Sequence, residues 1–246
     1  MSYDSVELYK TIFAIIKNNN LNNLGKGVSN MIKDSGVHKD GVIVIDGVVG
    51  VGKSTLMNIL AEMGHIPFSE PVVNNPILEK FYYDRARWSF SLQIFFLNKR
   101  FQYIKEAVAM GNAVMDRSIY GDAIFAKLLN SNGEMSDDEF SLYMELLSNM
   151  LEHVQAPKLM IYLETSVDHA MQKIKKRGRD YEQVVEREYW ERLNAEYTAY
   201  FENYDISPIL KINVDNLDFE NNPEDKAYVL GLIEEKLAEI DGRMAS

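Results

Sequence analysis

Gly47-Val48-Val49-Gly50-Val51-Gly52-Lys53-Ser54 sets glycines, a lysine and a hydroxyl at the spacing G-x-x-x-x-G-K-S. Each part suits one task, holding a chain of phosphates. Gly47, Gly50 and Gly52 let backbone N–H groups turn inward on an anion, and a helix opening at Lys53 adds the positive end of its dipole. Lys53 reaches the outer phosphates, Ser54 offers its hydroxyl to Mg²⁺, and Thr55 stands beside it. The string gains meaning from its surroundings. Val42-Ile43-Val44-Ile45 before it is a β-branched run fit for a buried parallel strand, and a helical pattern follows to about Met63. The loop fixes phosphoryl chemistry but not the acceptor. A guanine-reading N-K-x-D is missing, since Asn98-Lys99-Arg100-Phe101 lacks the aspartate and falls within a helical stretch.

Other reactive side chains stand at strand ends. Glu70 follows the short strand His65 to Phe68, and ligands of open parallel sheets collect beyond the carboxyl ends of the strands. Glu70 is therefore expected near the phosphates. Asp116-Arg117 closes the strand Ala113-Val114-Met115; the aspartate suits Mg²⁺ and the arginine the acceptor or the transferring phosphoryl group. Lys173, Lys176, Arg177 and Arg179 crowd one helix end and the loop after it. In a chain with 26 basic and 37 acidic residues, that cluster reads as a phosphate-clamping lid.

The elements that must position these groups alternate. Strands are expected at 42–45, 65–68, 113–115, 159–163 and 209–214. Helices are expected at 53–63, 76–110 with a break near Asp84, 119–130, 136–154, 167–176, 184–204 and 222–239. Ser136 and Glu139 form a capping box. Strand–helix alternation argues a parallel sheet covered on both faces. Ahead of it, Val6, Tyr9, Phe13 and Ile16 give helical spacing over 3–17, ended by the Asn-rich stretch 18–23, and a further short helix is expected at 27–35. Residues 1–40 thus read as an N-terminal helical extension and 41–246 as one domain. The extension either packs on that domain or forms an oligomer contact.

The 246 residues are 46% hydrophobic with a net charge of −11. Such a surface argues against polymeric nucleic acid or an anionic membrane as partner. The chain has no cysteine, which excludes disulfides, thiolate catalysis and cysteine-held zinc. Asp4, Glu7, Lys10 and Lys17 at the start do not make a secretory signal, and the apolar runs fall short of a membrane span. The expectation is a soluble cytoplasmic protein. His38, His65, His153 and His169 lack ligand spacing and read as structural or surface groups. Trp88 and Trp190 read as packing. Of the tyrosines, only Tyr82 is given a site role.

Glu70-Pro71-Val72, Gln93 with Arg100 seven residues later, Asp116-Arg117-Ser118-Ile119-Tyr120, Ile124-Phe125-Ala126 and Arg177-Gly178-Arg179 occur in this order. Together, over roughly 42–237, they resemble the deoxynucleoside kinases of the deoxycytidine, deoxyguanosine and deoxyadenosine kinase type, distinct from the zinc-bearing thymidine kinases. The resemblance implies an α/β P-loop kinase with a five-stranded parallel sheet, helices on both faces and a basic lid. It implies Glu70 as the base that accepts the 5′-hydroxyl proton of the deoxynucleoside, and Arg117 as its companion at that hydroxyl. Tyr82 and Glu182 would bind the 3′-hydroxyl, Gln93 would read the base edge, and Phe125 and Phe81 would sandwich the base. Lys173, Arg177 and Arg179 would close on the ATP phosphates, with Asp218 and Phe219 near the ATP adenine and Mg²⁺ held at Ser54 and Asp116. Arg100 and Asp122 would set base selectivity toward purines or cytosine, with deoxyadenosine the preferred acceptor. Departures are Asp116 where many relatives carry Glu, Lys173 where Arg is common, and a one-residue deletion before Ile124. Relatives are homodimers inhibited by end-product triphosphates, so a homodimer is expected, extended to a tetramer if the leader takes part. Two other readings share the loop. One is a nucleoside monophosphate kinase of the thymidylate kinase type, and the other is a non-catalytic nucleotide-binding module.

Overall fold

The β-branched run forms the central strand β1 (Val42–Asp46), every residue of it buried. Successive strand residues face opposite sides of a sheet, so complete burial requires cover on both. The computed structural model describes residues 5–24 and 41–244. Within them, β1 lies between β3 (Ala113–Asp116) and β4 (Leu159–Glu164), with β2 (Ile66–Phe68) and β5 (Ile209–Asn213) outermost. The order is β2-β3-β1-β4-β5 and every pairing is parallel. Ile45 is in register with both Asp116 and Ile161. The carboxyl ends of β1, β3 and β4 therefore finish together, where a ligand crevice is expected.

Ten α-helices complete the described residues. They are α1 (Ser5–Leu24), α2 (Lys53–Glu62), α3 (Leu78–Tyr83), α4 (Arg85–Met110), α5 (Asp122–Ser131), α6 (Asp137–Leu151), α7 (Val167–Arg177), α8 (Asp180–Gln183), α9 (Arg187–Glu202) and α10 (Pro223–Met244). The break between α3 and α4 falls at Asp84, whose side chain accepts from the Arg87 N–H and caps α4. Both bonds of the Ser136–Glu139 capping box are present at the start of α6. Among the described residues no helix is long and apolar enough to cross a membrane.

Two expected boundaries move. The Asn-rich stretch does not end α1, which continues to Leu24. Asparagine costs only a few tenths of a kcal/mol in a helix, and the next glycine, Gly25, lies beyond the stretch. The second expected boundary, at 184, splits into α8, a turn and α9 starting at Arg187, because Glu186 is extended (φ −67°, ψ 148°) as the cap of α9. The short helix expected at 27–35 lies outside the described residues, as does the Ile16 side chain. The apolar face of α1 is used within the chain. Tyr9, Ile12 and Phe13 are buried, the rings of Tyr9 and Phe13 each meet Tyr200 of α9 edge-on at 5.0 Å, and the Tyr9 hydroxyl donates to Glu196 at 2.7 Å.

Candidate active site

Above the carboxyl ends of the strands lies a cavity of about 420 Å³, with the glycine loop as its floor. Gly52 has φ +105°, and a Cβ there would stand 2.9 Å from the Phe219 ring. Only glycine meets both conditions, a left-handed backbone and a ring seated directly upon it. Lys53 is buried. Its ammonium donates to the carbonyls of Gly47 at 3.0 Å and Val48 at 2.8 Å, spanning the loop it serves. Burial, and then repulsion from Arg117, bring its pKa down to about 8, against the pull of Asp116, Glu70 and Asp46. The Ser54 hydroxyl donates to Oδ2 of Asp116. Oδ1 of Asp116 is buried and has no hydrogen-bond partner among the described residues.

Beyond the loop, Glu70 enters the cavity wall from the segment after β2. Its Oε1 accepts from Arg100 Nη2 at 2.9 Å and from Arg117 Nη1 at 3.2 Å. Burial would raise the Glu70 pKa, but Arg117, Arg100 and Lys53 together outweigh it and bring it down to about 2. Glu70 therefore stands as a carboxylate at neutral pH. Arg117 is the residue after β3 and has φ +65°, a backbone conformation that non-glycine residues rarely adopt and that collects at functional sites. Its second fork nitrogen donates to the Gly47 carbonyl at 3.1 Å, and its Cζ lies 4.8 Å from the centre of the Phe125 ring. One guanidinium thus joins the phosphate loop, the carboxylate and an aromatic wall.

Phe81 and Tyr82 of α3, Gln93 of α4, Phe125 of α5 and Glu182 of α8 line the same cavity with Glu70 and Arg117. Gln93 is buried, and its side-chain amide makes no hydrogen bond among the described residues, which leaves it for a ligand. At the other end, Lys173, Lys176, Arg177 and Arg179 line the cavity with Asp218 and Phe219. Gly178, left-handed at φ 71°, ends α7 and turns the basic segment. Glu182 draws the lid in. It accepts from Arg177 at 2.6 Å and from Arg179 at 3.3 Å.

Gly47, Arg100 and Asp122 do not line the cavity. Gly47 acts through its backbone. Arg100 and Asp122 are buried and ion-paired behind Glu70, so any influence on the acceptor passes through that carboxylate or through packing. Phe125, which follows the local deletion, lines the chamber.

Three further groups escaped the sequence reading. His169, read there as structural or surface, lines the cavity; its i,i+4 spacing to Lys173 was a usable signal. Tyr189 also lines it, beneath the Arg85 guanidinium at 4.4 Å, and nothing local marks it. Asp46, at the end of a buried apolar strand, was legible as an anomaly. It is 1% exposed, accepts from the Gly47 N–H at 2.7 Å and the Tyr197 hydroxyl at 3.2 Å, and lies 3.9 Å from Arg117 Nε.

A phosphate loop on a five-stranded parallel sheet, facing a carboxylate chamber under a basic lid, defines an α/β P-loop kinase. A sequence model of the deoxynucleoside kinase family matches residues 43–238, and the chain belongs to that family. It is 42% identical over 210 residues to a deoxyadenosine kinase of Lactobacillus acidophilus, covering 81% of this chain and 97% of the relative. It is 40% identical over 209 residues to a deoxyguanosine kinase of the same organism, covering 81% and 92%. The solved structure of a deoxyadenosine kinase from M. mycoides with bound dCTP superimposes with a TM-score of 0.71 at 31% identity, covering 79% of this chain and 99% of the other. Phosphorylation of a deoxynucleoside is the activity these findings support.

Proposed function

We propose that the chain transfers the γ-phosphoryl group of ATP to the 5′-hydroxyl of a purine deoxynucleoside, deoxyadenosine first. What supports the transfer is the convergence of Lys53, Glu70 and Arg117 on one cavity. The Glu70 carboxylate accepts the hydroxyl proton, while Lys53, Arg117 and the lid cations stabilise charge on the group in flight. Support for adenine comes from Gln93, whose carboxamide can donate to and accept from one base edge. The relatives carry mixed names, deoxyguanosine kinases among them, and two of them favour adenine. A 39% identical Bacillus subtilis protein is a deoxyadenosine/deoxycytidine kinase, and the M. mycoides deoxyadenosine kinase is also solved with bound dATP.

Mg²⁺ belongs to this reading as the companion of ATP. Among the described residues no group of three or more His, Cys, Asp or Glu forms a metal cage. Asp116, with its unpartnered Oδ1, and the Ser54 hydroxyl are nevertheless a fitting pair for an ion that keeps several waters and takes one or two protein ligands beside the phosphates. When bound, it would neutralise charge on the phosphate oxygens.

Labelled phosphate transfer from ATP to each of the four deoxynucleosides tests the acceptor. Deoxyadenosine should give the highest kcat/KM; thymidine as best acceptor would overturn the base assignment, and phosphorylation of a monophosphate in preference to the nucleoside would overturn the acceptor class. The donor end has its own test. Gly52→Ala forces a side chain into a left-handed position against Phe219, a strain of about 1–2 kcal/mol. KM for ATP should rise about tenfold, the factor such an energy corresponds to, with KM for the nucleoside unchanged.

A further inference from the structure

Arg117 has one anionic neighbour inside the cavity and a second below it. Glu70 holds one end of its fork. On the other side Asp46 Oδ1 stands 3.9 Å from Nε. Asp46 is among the most buried charged groups of the described residues, and among them its Oδ2 has no hydrogen-bond partner. An added Cβ at Gly121 would meet that oxygen at 2.5 Å, so the turn after β3 is closed tightly over it. The Gly47 N–H and the Tyr197 hydroxyl fix Oδ1. The Tyr197 ring in turn meets Phe125 edge-on at 6.0 Å and lies 5.9 Å from the Arg117 guanidinium. A carboxylate kept so dry at the end of an apolar strand is unfavourable for folding unless something compensates it. Its nearest cation is the arginine already placed in the reaction.

We propose that Asp46 is a positioning residue that keeps Arg117 in place during phosphoryl transfer. The inference rests on the reading of Glu70 as base and Arg117 as its companion. As Glu70 takes the hydroxyl proton it becomes neutral and loses its hold on Arg117, just when the transferring group needs that guanidinium. Burial pushes the Asp46 carboxyl above its ordinary range, and Arg117 and then Lys53 pull it back; Asp46 does not contact the reacting atoms and, as a carboxylate facing Nε, retains the arginine through the step. The left-handed backbone of Arg117 is held from the same side, its N–H donating to the Ile45 carbonyl at 2.9 Å, one residue before Asp46. A neutral isostere would keep one acceptor oxygen for Gly47 and Tyr197 and remove the charge, its amide nitrogen replacing the unpartnered Oδ2.

Asp46→Asn should therefore lower kcat roughly tenfold or more, about the cost of a displaced positioning group. KM for ATP should stay within twofold of the parent and the variant should stay folded, because Arg117 keeps Glu70 as a partner and an acceptor for Gly47 and Tyr197 remains. A double-mutant cycle with Arg117→Lys separates the causes. If Asp46 acts through Arg117, Asp46→Asn will change kcat less than twofold in the Arg117→Lys background. An equal effect in both backgrounds, or an unchanged kcat in Asp46→Asn alone, would overturn the proposal while leaving Arg117 in its role. A near-normal Arg117→Lys enzyme would instead remove the reading on which the proposal stands. Should Asp46→Asn not fold, Tyr197→Phe serves. Losing the hydroxyl on Oδ1 should lower kcat several-fold with wild-type Arg117 and leave it unchanged with Lys, and no effect in either background would overturn the proposal.

Discussion

Replacing Glu70 with glutamine should lower kcat by about 10²–10⁴-fold, the usual contribution of a positioned general base, while the protein stays folded. Glutamine retains the shape and an acceptor oxygen for the two guanidinium groups that meet on Oε1, but it cannot take a proton. The side chain is 21% exposed, so the fold does not depend on it as on a core residue. Steady-state kinetics beside thermal unfolding and circular dichroism check both halves. Near-normal turnover by a folded variant would take the base role from Glu70. The same variant carries a stability signature. With a folded pKa of about 2 against an ordinary value of 4.5, the Glu70 carboxylate contributes stability that is present above pH 4.5 and lost as pH falls toward 2. The wild type should show this loss in acid unfolding, and Glu70→Gln should lack that portion of it.

Lys53→Met should lower kcat/KM for ATP by about 10²–10³-fold, as removal of one preorganised electrostatic donor does. Methionine fills the buried space without a charge for the phosphates. The pH dependence of the wild type tests the same group. Because burial and Arg117 hold Lys53 at about 8 in the free protein, kcat/KM for ATP should decline as pH rises through about 8. Stability moves oppositely. Between about 8 and the ordinary lysine value of 10.5, the unfolded chain holds a proton that the folded one has released, so raising pH there favours the fold. Below about 8 the charged, buried lysine weakens it in full. A lysine kept at a cost to stability and lost to function when neutral fits a binding group better than a structural one. An alkaline limb absent from kcat/KM for ATP, or a Lys53→Met enzyme with wild-type efficiency, would refute the assignment.

The two substitutions address opposite ends of one cavity, and the sequence disclosed them unequally. Lys53 was legible because a phosphate loop is local. Its glycines, lysine and hydroxyl lie within eight consecutive residues, Gly47 to Ser54, and their mutual geometry follows from one strand–loop–helix turn. Glu70 was legible as a strand-end carboxylate, but its two arginine partners lie 30 and 47 residues away. That the arginines share Oε1, and that the Glu70 pKa is therefore depressed, depends on the packing of α4 and β3 against the loop after β2.

The sequence by itself determined the α/β class, the order of strands and helices, the phosphate cradle and the strand-end positions of Glu70 and Asp116-Arg117. Each of these is written in periodicity or in a short run of neighbours. Tertiary structure alone decided that α1 continues through the asparagines, where side-chain propensity is too weak to choose. It also decided that Arg100 and Asp122 stand behind the cavity wall, that Glu182 holds Arg177 and Arg179, and that Tyr189 and His169 complete the lining. Above all it placed Asp46 beneath Arg117, across 71 residues of chain. A charge at the end of an apolar strand can be seen in sequence, but the cation that compensates it is chosen by sheet register, which brings Ile45 and Asp116 side by side.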